Sequence, residues 1–84
     1  MATETIKPKV KACVSATGNY TYISNQKLVA FCIVNRSTTD SLTFTINGIT
    51  IPLEPTEIFD AQFDSYQKIV IAATGSWDFV VKGW

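Results

Sequence analysis

The dipeptide Asn47-Gly48 lies between two segments, 42–46 and 49–53, in which apolar and polar residues alternate. A period of two is the pattern of a half-buried β-strand, and Asn-Gly between two such segments favours a two-residue type I′ turn. The turn aligns the apolar residues on one face, as the pairs Ile46–Ile49, Phe44–Ile51 and Leu42–Leu53. Because Pro52 has no N–H to donate to a neighbour, we expect the second strand to be an edge strand.

The same rhythm runs through the rest of the chain. Turn signals rich in Gly, Asn, Ser and Pro, among them Ser24-Asn25 and Asp64-Ser65, separate short segments rich in Val, Ile, Thr, Phe and Tyr. This pattern predicts an all-β fold, a small antiparallel β-sandwich or barrel of about seven to eight short strands. We expect a single domain over residues 9–84, preceded by a flexible N-terminal arm, residues 1–8, which is polar and ends at Pro8.

Two further strand regions carry specific expectations. Residues 28–34 are apolar on both faces, which predicts a central strand covered on each side. Residues 68–73 and 77–82 predict a second hairpin with a three-residue loop, in which Ile71 lies opposite Phe79 because that register matches apolar residues.

Residues 54–66 permit two interpretations. Phe59, Phe63 and Tyr66 have the spacing of one helix face, which would fit a short helix. Alternation instead places Phe59, Ala61 and Phe63 on one face of a strand. The strand is favoured because the neighbouring segments are all predicted strands.

The net charge and the lack of an apolar targeting segment argue against several classes of partner. The formal net charge is zero, which disfavours nucleic-acid binding. Residues 1–36 nevertheless hold five basic and one acidic side chain, whereas residues 37–84 hold two basic and six acidic ones. No segment has the length of a membrane span, and the N-terminal residues MATETIKPK lack the apolar stretch of a secretory signal. We therefore expect synthesis in the cytoplasm, no membrane partner, and free thiols at Cys13 and Cys32.

The residues that usually carry catalysis or bind cofactors are scarce. The chain has no histidine, two cysteines and no glycine-rich phosphate loop. We therefore predict no catalytic residue, no cofactor, no metal site and no enzymatic activity. The acidic residues Glu54, Glu57, Asp60 and Asp64 are interpreted as a solvated surface rather than as paired catalytic carboxylates.

Aromatic and basic residues are the remaining candidates for contacts. Tyr20 and Tyr22 share one strand face, where they either cap the core or form a platform. Trp84 is expected to fold back on the domain or to meet a partner. The predicted interface residues are Lys7, Lys9, Lys11, Tyr20, Tyr22, Pro52 and Trp84.

Residues 41–83 contain the segments FTINGITIPLEP, EIFDAQF and KIVIAATGSWDFVVKG. This part of the chain resembles small β-sandwich accessory proteins of tailed-phage virions, such as head-fibre, capsid-decoration or tail-associated modules. The resemblance implies a non-enzymatic structural or attachment protein that self-associates and is incorporated into a virion, with other virion proteins or a glycan as partners.

Two other functions stay open, a carbohydrate-binding module using exposed aromatics and a small inhibitor or adaptor. The edge strand, the thin core of a short chain and the opposite charges of its two halves predict a homo-oligomer. A trimer is preferred on the resemblance, and a dimer comes next. In either, the arm with Lys7, Lys9 and Lys11 would lie against residues 54–64 of an adjacent copy.

Overall fold

The computed structural model describes residues 8–84, and within that range it is an antiparallel all-β protein without helices. The strands are β1 (Lys9–Thr17), β2 (Tyr20–Asn35), β3 (Leu42–Ile46), β4 (Ile49–Leu53), β5 (Ile58–Ala72) and β6 (Ser76–Gly83). They form one sheet in the order β1-β6-β2-β5-β3-β4. The predicted fold class is confirmed, whereas the arm predicted at residues 1–8 lies, apart from Pro8, outside the described residues.

Six strands replace the seven to eight expected, because two predicted turns lie inside long strands. Ser24-Asn25 falls within β2 and Asp64-Ser65 within β5. The pairing between β2 and β5 shifts register between Ile23 and Leu28. A bulge bends a strand without ending it, so the polar residues mark a shared bend of the two strands rather than two hairpins.

The bend folds the sheet into two layers that face each other. The first layer comprises β1, β6, residues 28–35 of β2 and residues 58–66 of β5. The second layer comprises residues 20–23 of β2, residues 68–72 of β5, β3 and β4. In the core between them, the Phe44 ring of the second layer lies 5.3 Å from the Phe31 ring and 4.9 Å from the Phe59 ring of the first, centroid to centroid.

The Asn47-Gly48 hairpin is confirmed. Both residues have positive φ, 53° and 77°, as a type I′ turn requires. The predicted register is found at every pair, including Thr43 opposite Pro52. β4 lies at the edge of the sheet, where Pro52 does not interrupt a second ladder.

The second predicted hairpin is wrong, because residues 68–72 of β5 lie in the second layer and do not pair with β6, which lies in the first. β6 lies between β1 and β2, where Ile33 aligns with Phe79 and Phe31 with Val81. On the core side of the sheet, residues 28–35 therefore place apolar side chains next to those of β6. The connection between β5 and β6 crosses between the layers, and the Gly18 amide donates a hydrogen bond to the Gly75 carbonyl there, at 3.1 Å.

The ambiguous segment 54–66 is a strand from Ile58 onward, as preferred. Phe59, Ala61 and Phe63 alternate with exposed residues and point toward the inner side. A turn at Pro55 and Thr56 precedes the strand, so no helix forms.

Asn35 joins the end of β2 to the loops around it, although it is buried. Its side-chain amide donates to the carbonyl oxygens of Asp40, Leu53 and Glu54, at 2.9 to 3.3 Å. Its Oδ1 accepts from the Ser37 amide at 3.1 Å. Since buried polar atoms are costly without partners, this residue fixes the loop after β2 and the end of β4 together.

Candidate interaction surface

The outer side of the first layer is unusually apolar. Phe31, Ile33, Phe79 and Val81 point into the core, so alternate residues of the same strands point outward. Three rows cross β1, β6, β2 and β5 in that order. They read Val10, Lys82, Ala30, Gln62; then Cys13, Val80, Cys32, Asp60; then Ser15, Asp78, Val34, Ile58. We call the seven apolar members the apolar outer face: Val10, Cys13, Ala30, Cys32, Val34, Ile58 and Val80.

The side chains of this face are most exposed to solvent at its two ends and less exposed at its centre. Val10 and Ile58 are 57% and 65% exposed, whereas Cys32, Val34 and Val80 between them are half-buried by their neighbours. The prediction that strand 28–34 is covered on both sides is therefore half right. Its inner side is buried in the core, whereas on its outer side Cys32 and Val34 are half-buried and Ala30 is only 7% exposed.

Charged groups flank the apolar outer face asymmetrically. Lys82 lies on the β6 side, and Asp60 and Asp64 lie on the β5 side. Asp78 forms an ion pair with Arg36. Hydrogen bonds from the Ser15 hydroxyl and the Arg36 guanidinium lower the pKa of Asp78.

Cys13 and Cys32 lie on either side of Val80 in the middle row. They are two strands apart, about 10 Å, which exceeds the span of about 7 Å that a disulfide can bridge. Both thiols are free, as expected. Burial, and secondarily the Asp60 carboxylate, raises the pKa of Cys32, which makes it a poorer nucleophile.

The outer side of the second layer has a different composition. One row reads Thr21, Val70, Thr45 and Thr50 across β2, β5, β3 and β4. The Thr45 and Thr50 hydroxyls hydrogen bond to each other at 2.8 Å. We call this the threonine-rich outer face. Three of the four residues in this row are threonines, although Val70 and, farther along β2, Ile23 are also exposed on this side.

An open groove of about 390 Å³ lies beside this second face. It is lined by Thr45, Asn47, Gly48, Gln67, Lys68 and Val70. The Asn47 amide already donates to the Ser65 carbonyl at 2.9 Å, and the Gln67 amide donates to the Ser24 carbonyl. With its amides engaged within the protein, the groove offers Lys68 alone as a charged group and no convergent polar set.

The predicted interface residues are scattered rather than gathered. Lys7 lies outside the described residues. Lys9 and Lys11 are exposed on the edge strand β1, close to the register shift between Val10 and Ala12. Pro52 lies on the other edge strand, and Trp84 is 63% exposed and does not fold back.

Tyr20 and Tyr22 do not form a platform. Their rings lie against the core, Tyr20 at 5.4 Å from Trp77 and Tyr22 at 5.5 Å from Phe79, centroid to centroid. Both side chains are half-buried. Their aromatic faces are thus used within the protein.

The four acidic residues Glu54, Glu57, Asp60 and Asp64 are exposed, as interpreted from the sequence. Glu57 accepts a hydrogen bond from the Glu54 amide at 2.7 Å. Across the described chain, no three or more His, Cys, Asp or Glu side chains are grouped so as to hold a metal ion. Residues 8–84 also contain no helix that is long and apolar enough to cross a membrane.

Sequence reasoning missed three residues of the apolar outer face, Val34, Ile58 and Val80. The signal for this face in the sequence was the apolar run 28–34. A strand that is apolar on both faces can bury only one of them in a single thin core. The strand order was needed to see that β6 and β5 extend the same apolar side.

Comparisons with known proteins give little support for a family. No family model matches the chain, and no curated protein matches it. A cupin-2 domain containing protein from Shewanella frigidimarina is a structural neighbour, at 14% identity and a TM-score of 0.44. The match covers 98% of this chain and 83% of that one. At this identity and TM-score, the likeness carries no argument about function.

The resemblance to accessory proteins of tailed-phage virions is wrong. The comparisons return a cupin-2 domain protein and no virion protein. The function that rested on this resemblance, a structural or attachment protein of a virion, is corrected with it. The carbohydrate-binding alternative loses its platform, since the rings of Tyr20 and Tyr22 pack on the core.

Proposed function

We propose that this protein is a non-enzymatic binding domain that contacts another polypeptide through the apolar outer face. The observation that carries the proposal is that apolar side chains lie next to one another on the outer side of four neighbouring strands. At the two ends of this face, Ile58 is 65% and Val10 is 57% exposed. Contiguous exposed apolar surface of this kind marks interaction sites, because water contact with it is unfavourable.

The composition of the face suits a polypeptide rather than a small ligand. It is broad and shallow, with half-buried Cys32, Val34 and Val80 at its centre and charged side chains at its rim. An apolar centre with a polar rim is the usual anatomy of a protein–protein interface. Small molecules instead require a concave pocket, which these flat strands do not provide.

The edges of the sheet favour contact through the face rather than by strand addition. Edge strand β4 contains Pro52, and edge strand β1 carries Lys9 and Lys11 beside a bulge. Proline, lysine and bulges are the features by which sheet edges avoid pairing with another strand.

Matched substitutions test the proposal. Ile58 on the apolar outer face and Ile23 on the threonine-rich side are the same residue type with nearly equal exposure, 65% and 70%. Peptides would be selected for binding to the wild-type protein from a random display library, and their affinities measured for Ile58→Lys and Ile23→Lys. We expect Ile58→Lys to weaken binding at least tenfold and Ile23→Lys to leave it unchanged.

Selected peptides that lose affinity for Ile23→Lys and retain it for Ile58→Lys would refute the proposed surface. Thermal unfolding of both variants serves as the control, and we expect melting temperatures close to that of the wild type, since both side chains are largely exposed.

A further inference from the structure

We infer that a second binding site lies at an unpaired edge of β5, where an extended, basic segment of another polypeptide adds to the sheet as an antiparallel strand. The segment turns apolar side chains toward the core and basic side chains toward solvent. This site is separate from the apolar outer face, because it consists of the backbone edge of β5 and the inner side of β4.

The bend leaves the first half of β5 paired on one side only. Residues 58–62 pair with β2, whereas β3 pairs with β5 only at residues 70–72. Within residues 8–84, no strand borders the other side of residues 58–62. The terminal strands β1 and β4 are protected against strand addition, but these residues contain no proline, lysine or bulge. The bend therefore creates an internal edge that can accept a strand.

The alternation of the ladder shows which backbone groups lie on this edge. The Asn35 amide donates to the Glu57 carbonyl at 2.9 Å, so Glu57 points toward β2. In an antiparallel ladder each residue points its N–H and C=O to the same side, and successive residues alternate between sides. The odd-numbered residues therefore bond to β2. The even-numbered residues point these groups to the free edge: Ile58, Asp60 and Gln62.

The inner side of β4 supplies an apolar cover for an added strand. The two layers are offset sideways, because β2 of the second layer lies over β6, and Phe44 of β3 lies over Phe31 of β2 and Phe59 of β5. β4 follows β3 in the sheet and so extends past the edge of β5. Ile49 lies opposite the buried Ile46 on the inner side of this hairpin, yet it is 59% exposed. A strand added beside β5 would lie beneath Ile49 and bury it.

The comparable edge in the second layer lacks such a cover. Residues 20–23 of β2 also pair on one side only within the described chain. β1 extends past them in the first layer, but its inner side carries Ala12, Val14 and Ala16, which are small and half-buried. Apolar surface is therefore left exposed at the β5 edge and not at the β2 edge.

The charges around the β5 edge favour a basic partner. Residues 54–67 contain four acidic side chains and no basic one. Asp60, at the centre of the edge, is exposed on the outer side of the strand. A lysine or arginine directly opposite Asp60 forms a favourable cross-strand pair. Pairing with the same edge of a second copy would instead bring acidic side chains together, which opposes it.

Backbone amide exchange measured by NMR tests strand addition directly. The probe is a seven-residue peptide of alternating valine and lysine, with valine at both ends and both termini blocked, titrated at low salt. At about 90% saturation, we expect exchange with water to slow about fivefold or more at Ile58, Asp60 and Gln62, because their amides then bond to the peptide. Exchange at Phe59 and Ala61 should not change, since these amides already bond to β2.

Matched peptides separate strand addition from charge attraction. In the antiparallel pairing, the lysine N–H groups face β5 and the valine N–H groups face away. N-methylation of the lysines should therefore weaken binding at least tenfold, whereas N-methylation of the valines should weaken it less than threefold. A peptide with glutamate in place of lysine should bind at least tenfold more weakly than the probe.

Matched protein variants test the charge and the apolar cover. Asp60→Asn and Thr21→Lys change the net charge equally, and we expect only Asp60→Asn to weaken binding of the probe, by about threefold to fivefold. Ile49→Gln and Ile23→Gln change the same residue type at 59% and 70% exposure. We expect Ile49→Gln to weaken binding at least threefold and Ile23→Gln to leave it unchanged. Thermal unfolding verifies that each variant is folded.

Two results would overturn the inference. Unchanged exchange at Ile58, Asp60 and Gln62 with up to about 5 mM probe would exclude this edge as a peptide site. Equal loss of affinity from both N-methylated peptides would exclude pairing through the backbone. Neither result depends on the comparison of Ile58→Lys with Ile23→Lys. If selected peptides bind the apolar outer face while the probe leaves exchange at the edge unchanged, the proposed function stands and this inference fails.

Discussion

The two outer faces of this protein are built on the same long strands, yet they differ in chemistry. In the first layer, a row across four strands reads Cys13, Val80, Cys32 and Asp60. In the second layer, the corresponding row reads Thr21, Val70, Thr45 and Thr50. Because β2 and β5 contribute to both, their backbone does not decide which face meets water. The side chains that alternate with the core residues decide it.

The difference shows how a chain of this size can place a binding surface without a pocket. Only the inner side of each layer is needed for the core, so the outer positions are free to vary. Threonine on one outer side satisfies strand propensity and hydration together. Valine, isoleucine and cysteine on the other satisfy strand propensity and leave apolar surface exposed, which favours contact with a partner.

The junction between the layers should be the most sensitive point of this arrangement. Asn35→Ala removes three hydrogen bonds from the side-chain amide to the carbonyls around it. We expect a loss of roughly 3 kcal/mol in the free energy of unfolding, measured by urea denaturation. The control is Asn19→Ala, since the exposed Asn19 accepts a single hydrogen bond from the Ala73 amide. That variant should lose about 1 kcal/mol or less. Equal losses would show that Asn35 does not hold the layers together.

Tyr66 tests the bend that separates the two faces, through the dependence of stability on pH. Its hydroxyl donates to the Ala30 carbonyl, and burial, with a smaller contribution from Tyr22, raises the pKa of Tyr66 well above its usual value. Above about pH 10 the unfolded chain therefore releases this proton while the folded chain retains it. The free energy of unfolding should fall above pH 10, by up to about 1.4 kcal/mol per pH unit from this residue.

The comparison variant for this prediction is Tyr66→Phe. It should be less stable at pH 8 by about 1 to 2 kcal/mol, because the Ala30 carbonyl loses its donor. Its stability should then fall less steeply than that of the wild type between pH 10 and 11. Parallel slopes in urea denaturation would show that Tyr66 titrates normally and that the bend is open to solvent.

Local sequence patterns predicted the local structure well. Asn47-Gly48 predicted its hairpin and every pair in it, since a two-residue turn fixes the register of adjacent strands. The order of strands depends on long-range packing, so the predicted pairing of Ile71 with Phe79 was wrong. The bends at Ser24-Asn25 and Asp64-Ser65 looked like turns because both need the same small polar residues.

The candidate surface was harder to predict for the same reason. Val34, Val80 and Ile58 are separated along the chain and become neighbours only because β6, β2 and β5 are adjacent. The aromatic candidates Tyr20 and Tyr22 looked exposed at the start of a strand, but the fold of the sheet turns them onto Trp77 and Phe79. Single-residue features predicted contacts here less well than the pattern of a whole strand did.

The central claim is that the apolar outer face binds a polypeptide and that the threonine-rich outer face does not. Cys13 in a Cys32→Ser variant reports on the first face. Thr21→Cys in a background lacking both native cysteines reports on the second. The measurement is the rate of thiol labelling at each site, with and without a saturating concentration of a peptide selected on the wild-type protein. We expect the bound peptide to slow labelling of Cys13 about threefold to fivefold and to leave the rate at position 21 unchanged. Unchanged labelling of Cys13, or equal slowing at both positions, would contradict the account.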